Sequence, residues 1–446
     1  MIRQSALNLA GGLLPAFVAL ACTPWILKSH GSVFFGIYSL QTALVVVVGL
    51  MDLGISRGIT LATFDPRLNP DATPLRPFKA GLQLSLIAAL AISLVTLVGA
   101  AIFFHVRSSS GDVMMSTTLH VVSGALTILT LPFRALFEIQ GRFGRLNLIR
   151  SLLACSVPAA PLLPSMSADL ALTSVAMIVL LTRVLGLAAY ALSSGIGRSR
   201  LRAIPSVDRA WRREFMRRCG WAGLTNLISL VLTYADRFLL GAIGAVTEVS
   251  HFVIAQEAAT KIWMVTGAVQ SATTPRVALE LHATGHDAAP HPRPALRRTK
   301  LILLLTVVLP SLILVLYNDA IFRLWLRGGF SPAISQAAGV LFAGIAVNSM
   351  SQLNFTLLQL SKGEALGARL QIVNVGLAAV FMVALVPSFG ALGAAMAFSL
   401  RLVVDAFLTR YLTTRHSRSK AGFSNGELAA TLLLFLLIIG YRHVPV

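Results

Sequence analysis

Long apolar runs alternate with short polar segments along the whole chain. A helix needs about 20 apolar residues to cross the hydrocarbon core of a bilayer, and most of the runs reach this length. The pattern therefore predicts an all-α, polytopic membrane protein with about thirteen transmembrane helices. The predicted spans cover residues 6–27, 34–56, 80–104, 113–137, 146–164, 168–193, 219–242, 248–271, 298–318, 334–360, 367–386, 390–411 and 425–441.

The charges between these runs predict how the chain is oriented. Loops that follow even-numbered spans, together with Arg3, hold 28 lysines and arginines, whereas the opposite loops hold 5. Cytoplasmic loops of membrane proteins are enriched in lysine and arginine. The first twelve spans are therefore predicted to begin with a cytoplasmic N-terminus, and the thirteenth is a shorter additional span.

Composition excludes several classes of protein. The chain has 56% apolar and 12% charged residues, whereas a soluble domain has roughly 25% charged residues. The net charge of +20 falls mostly in the loops, so membrane orientation explains it better than nucleic-acid binding. Cys22, Cys155 and Cys219 lack metal-ligand spacing, and the motifs of nucleotide-binding loops and hydrolases are missing from the sequence. We predict a transporter without a metal or cofactor, and not an enzyme.

Weak internal similarity indicates a repeat. Tyr38 corresponds to Phe252, Gly141 to Gly363 and Arg183 to Arg401, with offsets of 214, 222 and 218 residues. Two parallel six-helix lobes explain these offsets and suit a transporter that opens alternately to each side. The predicted division is an N-terminal lobe at 1–197, a basic cytoplasmic linker at 198–218, a C-terminal lobe at 219–414 and a terminal segment at 415–446.

Ionisable side chains within spans are the candidate functional residues, because each costs roughly 2.5–3.5 kcal/mol at mid-helix on insertion scales. Glu257 and Lys261 are four residues apart, as are Arg401 and Asp405, so each pair could neutralise itself locally. Arg57 could extend to the headgroups. Cations modestly outnumber acids in the spans, and a positive cavity suits a phosphate.

Short motifs in a fixed order give the chain a family resemblance. They comprise Asn8, Pro15, Pro24, Gly31, Phe35-Gly36-Ile37-Tyr38, Asp52-Leu53-Gly54-Ile55, Arg57, Asp236-Arg237-Phe238-Leu239-Leu240-Gly241, Pro275 and Gly390-Ala391-Leu392-Gly393-Ala394-Ala395. With these motifs the chain resembles the polysaccharide-transporter (Wzx-type, O-antigen flippase) family of the multidrug/oligosaccharidyl-lipid/polysaccharide exporter superfamily.

The resemblance implies a V-shaped bundle that flips undecaprenyl-diphosphate-linked oligosaccharide across the bacterial inner membrane for polysaccharide synthesis. It implies a cationic cavity, membrane lipids as surroundings, and a polymerase and glycosyltransferases of the same pathway as partners. The alternative is a multidrug or small-metabolite cation antiporter. The candidate substrate-binding residues are Arg57, Arg183, Arg237, Lys261 and Arg401, and the candidate ion-coupling residues are Asp52, Asp236 and Glu257.

Overall fold

The computed structural model of the protein is all-helical over the residues that it describes. These are 2–50, 54–65, 74–105, 111–163, 171–196, 209–243, 245–283, 294–362, 364–416 and 422–442. The predicted fold class, an all-α polytopic membrane protein, is confirmed. Seven helices in the described part are long and apolar enough to cross a membrane.

Two compact units make up the chain. Unit 1 comprises Met1–His30 and Ile37–Tyr234, and unit 2 comprises Gly31–Gly36 and Ala235–Val446. The described helices are α1 (Ile2–Leu50), α2 (Ile55–Phe64), α3 (Leu75–His105), α4 (Gly111–Ile139), α5 (Phe143–Ala159), α6 (Ala171–Ser194), α7 (Arg209–Ile243), α8 (Val246–Ala283), α9 (Pro294–Leu303), α10 (Leu309–Leu316), α11 (Asn318–Leu326), α12 (Pro332–Lys362), α13 (Glu364–His416) and α14 (Asn425–Arg442).

The predicted spans correspond to these helices with three differences. The second span was predicted to reach residue 56, but Gly54 has φ 68° and precedes α2, which begins at Ile55. Residues 51–53 lie outside the described residues. The predicted loop after span nine contains the short helix α11. Residues 209–218 of the predicted linker are helical and belong to α7, while 197–208 lie outside the described residues. The six-helix lobes and their boundaries stay a prediction.

Two of the predicted loops are single-residue breaks inside long helices. Gly31 interrupts α1 with φ 79°, and Gly390 interrupts α13 with φ 54°. Glycine adopts positive φ without the steric cost that a Cβ imposes. Each break therefore separates two predicted spans without adding a polar loop.

The proline-rich end of α5 exposes backbone carbonyl groups, which polar side chains of unit 1 bind. Pro161 has no N–H, so the Val157 carbonyl cannot accept the usual helical bond. That carbonyl accepts hydrogen bonds from the Ala160 N–H and from the Tyr38 hydroxyl. The His30 ring lies 3.0 Å from the Pro161 carbonyl. A helix that ends within a membrane needs such partners, because lipid offers none.

Helix packing in both units depends on small residues facing larger ones. A Cβ at Gly81 would lie 2.4 Å from Ile59, and one at Gly344 would lie 2.5 Å from Ser399. In contrast, Leu90, Leu94 and other large apolar side chains of α3 are exposed. This pattern is expected of helices surrounded by lipid. They approach one another closely at small residues and expose aliphatic faces to the surroundings.

Candidate functional site

The structure divides the predicted site residues between the two units. Arg57 and Arg183 belong to unit 1, and Arg57 is exposed near the start of α2. The predicted residues of α7, α8 and α13 belong to unit 2. Asp52 lies outside the described residues.

Arg183 lies on α6 without an ion pair to any described residue. Its Nε atom is buried and has no hydrogen-bond partner in the described part of unit 1. The groups that interact with it electrostatically are the phenols of Tyr38 and Tyr190 and the ring of His120. Because these groups are neutral in their ordinary forms, they leave the arginine's positive charge uncompensated. Arg183 can therefore bind an anion without giving up an acidic partner.

Arg237 is held by two residues of α8. Its Nε donates to Gln256 Oε1 at 3.0 Å, and its Nη2 donates to Glu257 Oε1 at 3.0 Å. The second oxygen of Glu257 accepts a hydrogen bond from Lys261 Nζ at 2.8 Å. One carboxylate thus bridges two cations, and this group of three has a surplus of one positive charge. The spacing of Glu257 and Lys261 predicted their pairing, whereas it gave no sign of the contact from α7.

Replacing Glu257 with glutamine is expected to destabilise unit 2 by about 1–3 kcal/mol, because two partly buried cations lose their shared carboxylate. Thermal unfolding of the purified protein in detergent measures this change. Lys261→Met is the matched control, since it leaves Arg237 paired with Glu257, and it should lower the stability of unit 2 by less. An equal loss of stability in both variants would contradict a bridging role for Glu257.

Asp236 and Arg401 form a second charged group in unit 2. Asp236 is 1% exposed, its Oδ2 has no hydrogen-bond partner among the described residues, and Arg401 acts on it electrostatically. The Arg401 guanidinium lies over the Phe398 ring at 4.9 Å. The Arg401–Asp405 ion pair that the spacing allowed does not form within the described residues. Asp405 instead accepts hydrogen bonds from two asparagine side chains.

The predicted site residues of unit 2 are balanced by nearby acids. The cations are Arg237, Lys261 and Arg401, and the acids beside them are Asp236, Glu257 and Asp405. Arg183 in unit 1, by contrast, has no ion pair within the described residues.

A cavity of about 410 Å³ opens beside Arg401 in unit 2. Ligand pockets of proteins are typically about 300–1,000 Å³, so this cavity is within the usual range. Three helices, α8, α12 and α13, contribute its lining. The lining residues are Gln270, Asn348, Ser351, Gln352, Phe355, Thr356, Gln371, Asn374, Arg401, Leu402 and Asp405.

The sequence analysis missed the amide side chains of this cavity because it considered only ionisable groups. Asn348, Gln352 and Thr356 repeat every four residues along α12, so they lie on one helix face. A polar stripe of this kind within an apolar span was a signal available from the sequence. The partners from other helices, such as Asn374, had no comparable signal.

Comparison with known proteins supports this interpretation of the fold. No protein-family model matches the chain. A protein of Shigella flexneri described as "Putative O-antigen transporter" is 23% identical over 420 residues, which span 93% of this chain and 98% of that protein.

Solved structures share the fold at low sequence identity. The lipid II flippase MurJ in an inward closed conformation superposes with a TM-score of 0.70 at 11% identity, covering 99% of this chain and 98% of that one. An inward-facing multidrug resistance MATE family transporter of the MOP superfamily gives a TM-score of 0.63 at 14% identity, covering 94% and 96%. The chain is therefore a multi-pass membrane protein with the fold of the MOP superfamily transporters, and its predicted resemblance to the polysaccharide-transporter family is confirmed.

Proposed function

We propose that this protein is a flippase that moves undecaprenyl-diphosphate-linked oligosaccharide across the bacterial inner membrane by alternating access, for O-antigen or exopolysaccharide synthesis. The observation that carries the proposal is the Arg183 guanidinium, whose buried Nε has no hydrogen-bond partner and which makes no ion pair within the described residues. A cation in a membrane helix is costly, and a phosphate supplies the charge that compensates it. The similarity to a protein described as an O-antigen transporter supports the same substrate class.

The other cations have a different part in this proposal. Arg237 and Lys261 share Glu257, so an arriving phosphate competes with that carboxylate for them. Arg401 interacts electrostatically with both Asp236 and Asp405, so it attracts an anion less strongly than an isolated arginine would. Arg57, which is exposed on α2, adds charge at the predicted cytoplasmic end of its span. Arg183 is thus the principal anchor, and Arg57, Arg237, Lys261 and Arg401 assist it.

A leaflet-translocation assay in vesicles tests the proposal directly. Purified protein is reconstituted with a fluorescent undecaprenyl-diphosphate-linked oligosaccharide, and the fraction that becomes accessible to an external quencher or enzyme is followed over time. Transport well above that of empty vesicles is expected. A folded, correctly inserted protein that moves no such lipid would refute the proposal.

The cellular setting follows from this function. The protein resides in the inner membrane with a cytoplasmic N-terminus, as the charge of the loops predicts. Membrane lipids surround it, and the pathway's glycosyltransferases supply its substrate while a polymerase receives the product. Because the proposed cargo carries charge, the membrane potential contributes about 2.3 kcal/mol per charge per 100 mV.

A cation antiporter is the second candidate, and one observation favours it. Asp236 is buried with an oxygen that has no hydrogen-bond partner among the described residues, and such a carboxylate can bind a proton or a cation. The fold is also shared with a multidrug resistance transporter. In this alternative Asp236 and Glu257, together with Asp52, bind the coupling ion.

Dye efflux separates the two functions. Cells that produce the wild-type protein are expected to export ethidium no faster than cells that lack it, and Asp236→Asn is expected to leave that rate unchanged. An export rate several times the background that falls to background in Asp236→Asn would replace the flippase proposal with the antiporter.

A further inference from the structure

The cavity of unit 2 differs chemically from the Arg183 site of unit 1. Its charged lining consists of Arg401 and Asp405, which have opposite charges. Seven other lining residues carry neutral amide or hydroxyl groups: Gln270, Asn348, Ser351, Gln352, Thr356, Gln371 and Asn374. Such a surface gains little from a phosphate, but it offers many hydrogen bonds to an uncharged, hydroxyl-rich molecule.

Several of these polar groups lack a partner. Asn374 is 2% exposed and Arg401 is 6% exposed. Asn374 Oδ1, Gln270 Nε2 and Arg401 Nε are all buried with no hydrogen-bond partner in the described part of the protein. Buried polar atoms are nearly always hydrogen-bonded in native proteins, so these three, which belong to residues that line one cavity, have bonding capacity that a ligand in the cavity can meet.

Asp405 fixes the direction in which the Asn374 amide points. Its Oδ1 accepts a hydrogen bond from Asn374 Nδ2 at 2.6 Å, and its Oδ2 accepts one from Asn348 Nδ2 at 3.1 Å. Because a carboxylate only accepts hydrogen bonds, each amide must turn its nitrogen toward Asp405. The Asn374 oxygen is left as an acceptor for another group, while Gln270 and Arg401 present donors.

A sugar matches this arrangement. Each hydroxyl group is both a donor and an acceptor, so sugar hydroxyls can donate to Asn374 Oδ1 and accept from the N–H groups of Gln270 and Arg401. Phe355 adds an apolar surface to the lining, against which the C–H face of a sugar ring can pack. A volume of about 410 Å³ exceeds by far the roughly 30 Å³ that one water occupies in the liquid, so the cavity has room for more than a bridging water.

We infer that the cavity lined by α8, α12 and α13 binds uncharged sugar residues of the transported lipid, an inference that rests on the proposed flippase function. Arg183 in unit 1 binds the anionic diphosphate, and the amides of unit 2 bind the glycan through its hydroxyl groups. Asp405 is a positioning residue, since it acts through the asparagines that it orients.

Binding measurements with two probes test the inference. The purified full-length protein in lipid nanodiscs is titrated with undecaprenyl diphosphate and, separately, with undecaprenyl diphosphate that carries a neutral trisaccharide of hexose and N-acetylhexosamine. The wild-type protein should bind the glycan-bearing lipid about tenfold more tightly, which corresponds to about 1.4 kcal/mol. Gln270→Leu and Asn374→Leu should remove most of this preference and leave the affinity for undecaprenyl diphosphate unchanged.

Two variants and one control keep the result interpretable. Asn374→Leu also removes a partner of Asp405 and could impair folding, whereas Gln270 takes no part in the contacts of that carboxylate. Gln336→Leu is the matched control, because Gln336 also lies on the lining of a pocket in unit 2, but of a different one. It should retain the full preference for the glycan.

Each other result has a definite meaning. Equal wild-type affinity for both lipids, or an unchanged preference in Gln270→Leu, would overturn the inference while the flippase function stands. An equal loss of affinity for both lipids in a folded Gln270→Leu or Asn374→Leu variant would also overturn the inference. Failure of the folded wild-type protein to bind either lipid would instead remove the proposed function itself.

Discussion

Replacing Arg183 with glutamine is expected to lower the rate of lipid-linked oligosaccharide translocation by at least about tenfold. A hydrogen bond to a charged group contributes about 1.5–3 kcal/mol, and loss of that amount lowers binding by about ten- to 150-fold. Arg183 makes no ion pair within the described residues, so its removal leaves no acid behind without a partner. The loss should therefore appear in transport and in diphosphate binding rather than in stability. The vesicle assay with the fluorescent lipid measures it.

Two further variants give this result its meaning. Arg183→Lys keeps the positive charge but loses the planar pair of donors, so it should retain part of the activity. Arg212→Gln removes a charge from an exposed position on α7 and should behave as the wild type does. Full transport by Arg183→Gln, with Arg212→Gln equally active, would show that the phosphate anchor lies elsewhere.

The positions of most helices were predictable because they follow from one strong physical constraint. Every backbone polar group in a bilayer must be bonded within the chain, so each apolar run of sufficient length becomes a helix. The borders at Gly31 and Gly390 were placed correctly, and at each of them the backbone leaves the helical conformation. The break at Gly54, where φ is 68°, was missed, since the second span was predicted to run on to residue 56.

Contacts within one helix were also predictable, but contacts between helices were not. The Glu257–Lys261 bond follows directly from a spacing of four residues. The sequence did not identify Gln256 and Glu257 as the partners of Arg237. The spacing of Arg401 and Asp405 was misleading, because Asp405 binds Asn348 of α12 and Asn374 instead. Asn374 lies in the segment of α13 before the break at Gly390, and Asp405 lies after it. Which way a side chain faces depends on helix rotation, and an apolar run does not encode that rotation at each position.

Gly390→Ala is expected to destabilise unit 2 by about 3 kcal/mol through two effects at one position. The backbone at Gly390 has φ 54° and ψ −127°, a conformation that costs other residues about 1–3 kcal/mol. A new Cβ would also lie 2.6 Å from Glu248 Oε2. That oxygen accepts a hydrogen bond from the Ala391 N–H at 2.7 Å and so caps the helical segment that follows the break. Displacing the carboxylate removes the cap as well.

Thermal unfolding followed by size-exclusion chromatography in detergent measures the effect, and Gly99→Ala is the matched control. A Cβ at Gly99 meets no atom within 4 Å, and its φ is ordinary, so this variant should be as stable as the wild type or slightly more so. Glu248→Gln separates the two causes, because it weakens the cap without straining the backbone. We expect it to lose less stability than Gly390→Ala. If Gly390→Ala unfolded at the same temperature as Gly99→Ala, the break between spans eleven and twelve would need neither glycine nor the Glu248 cap.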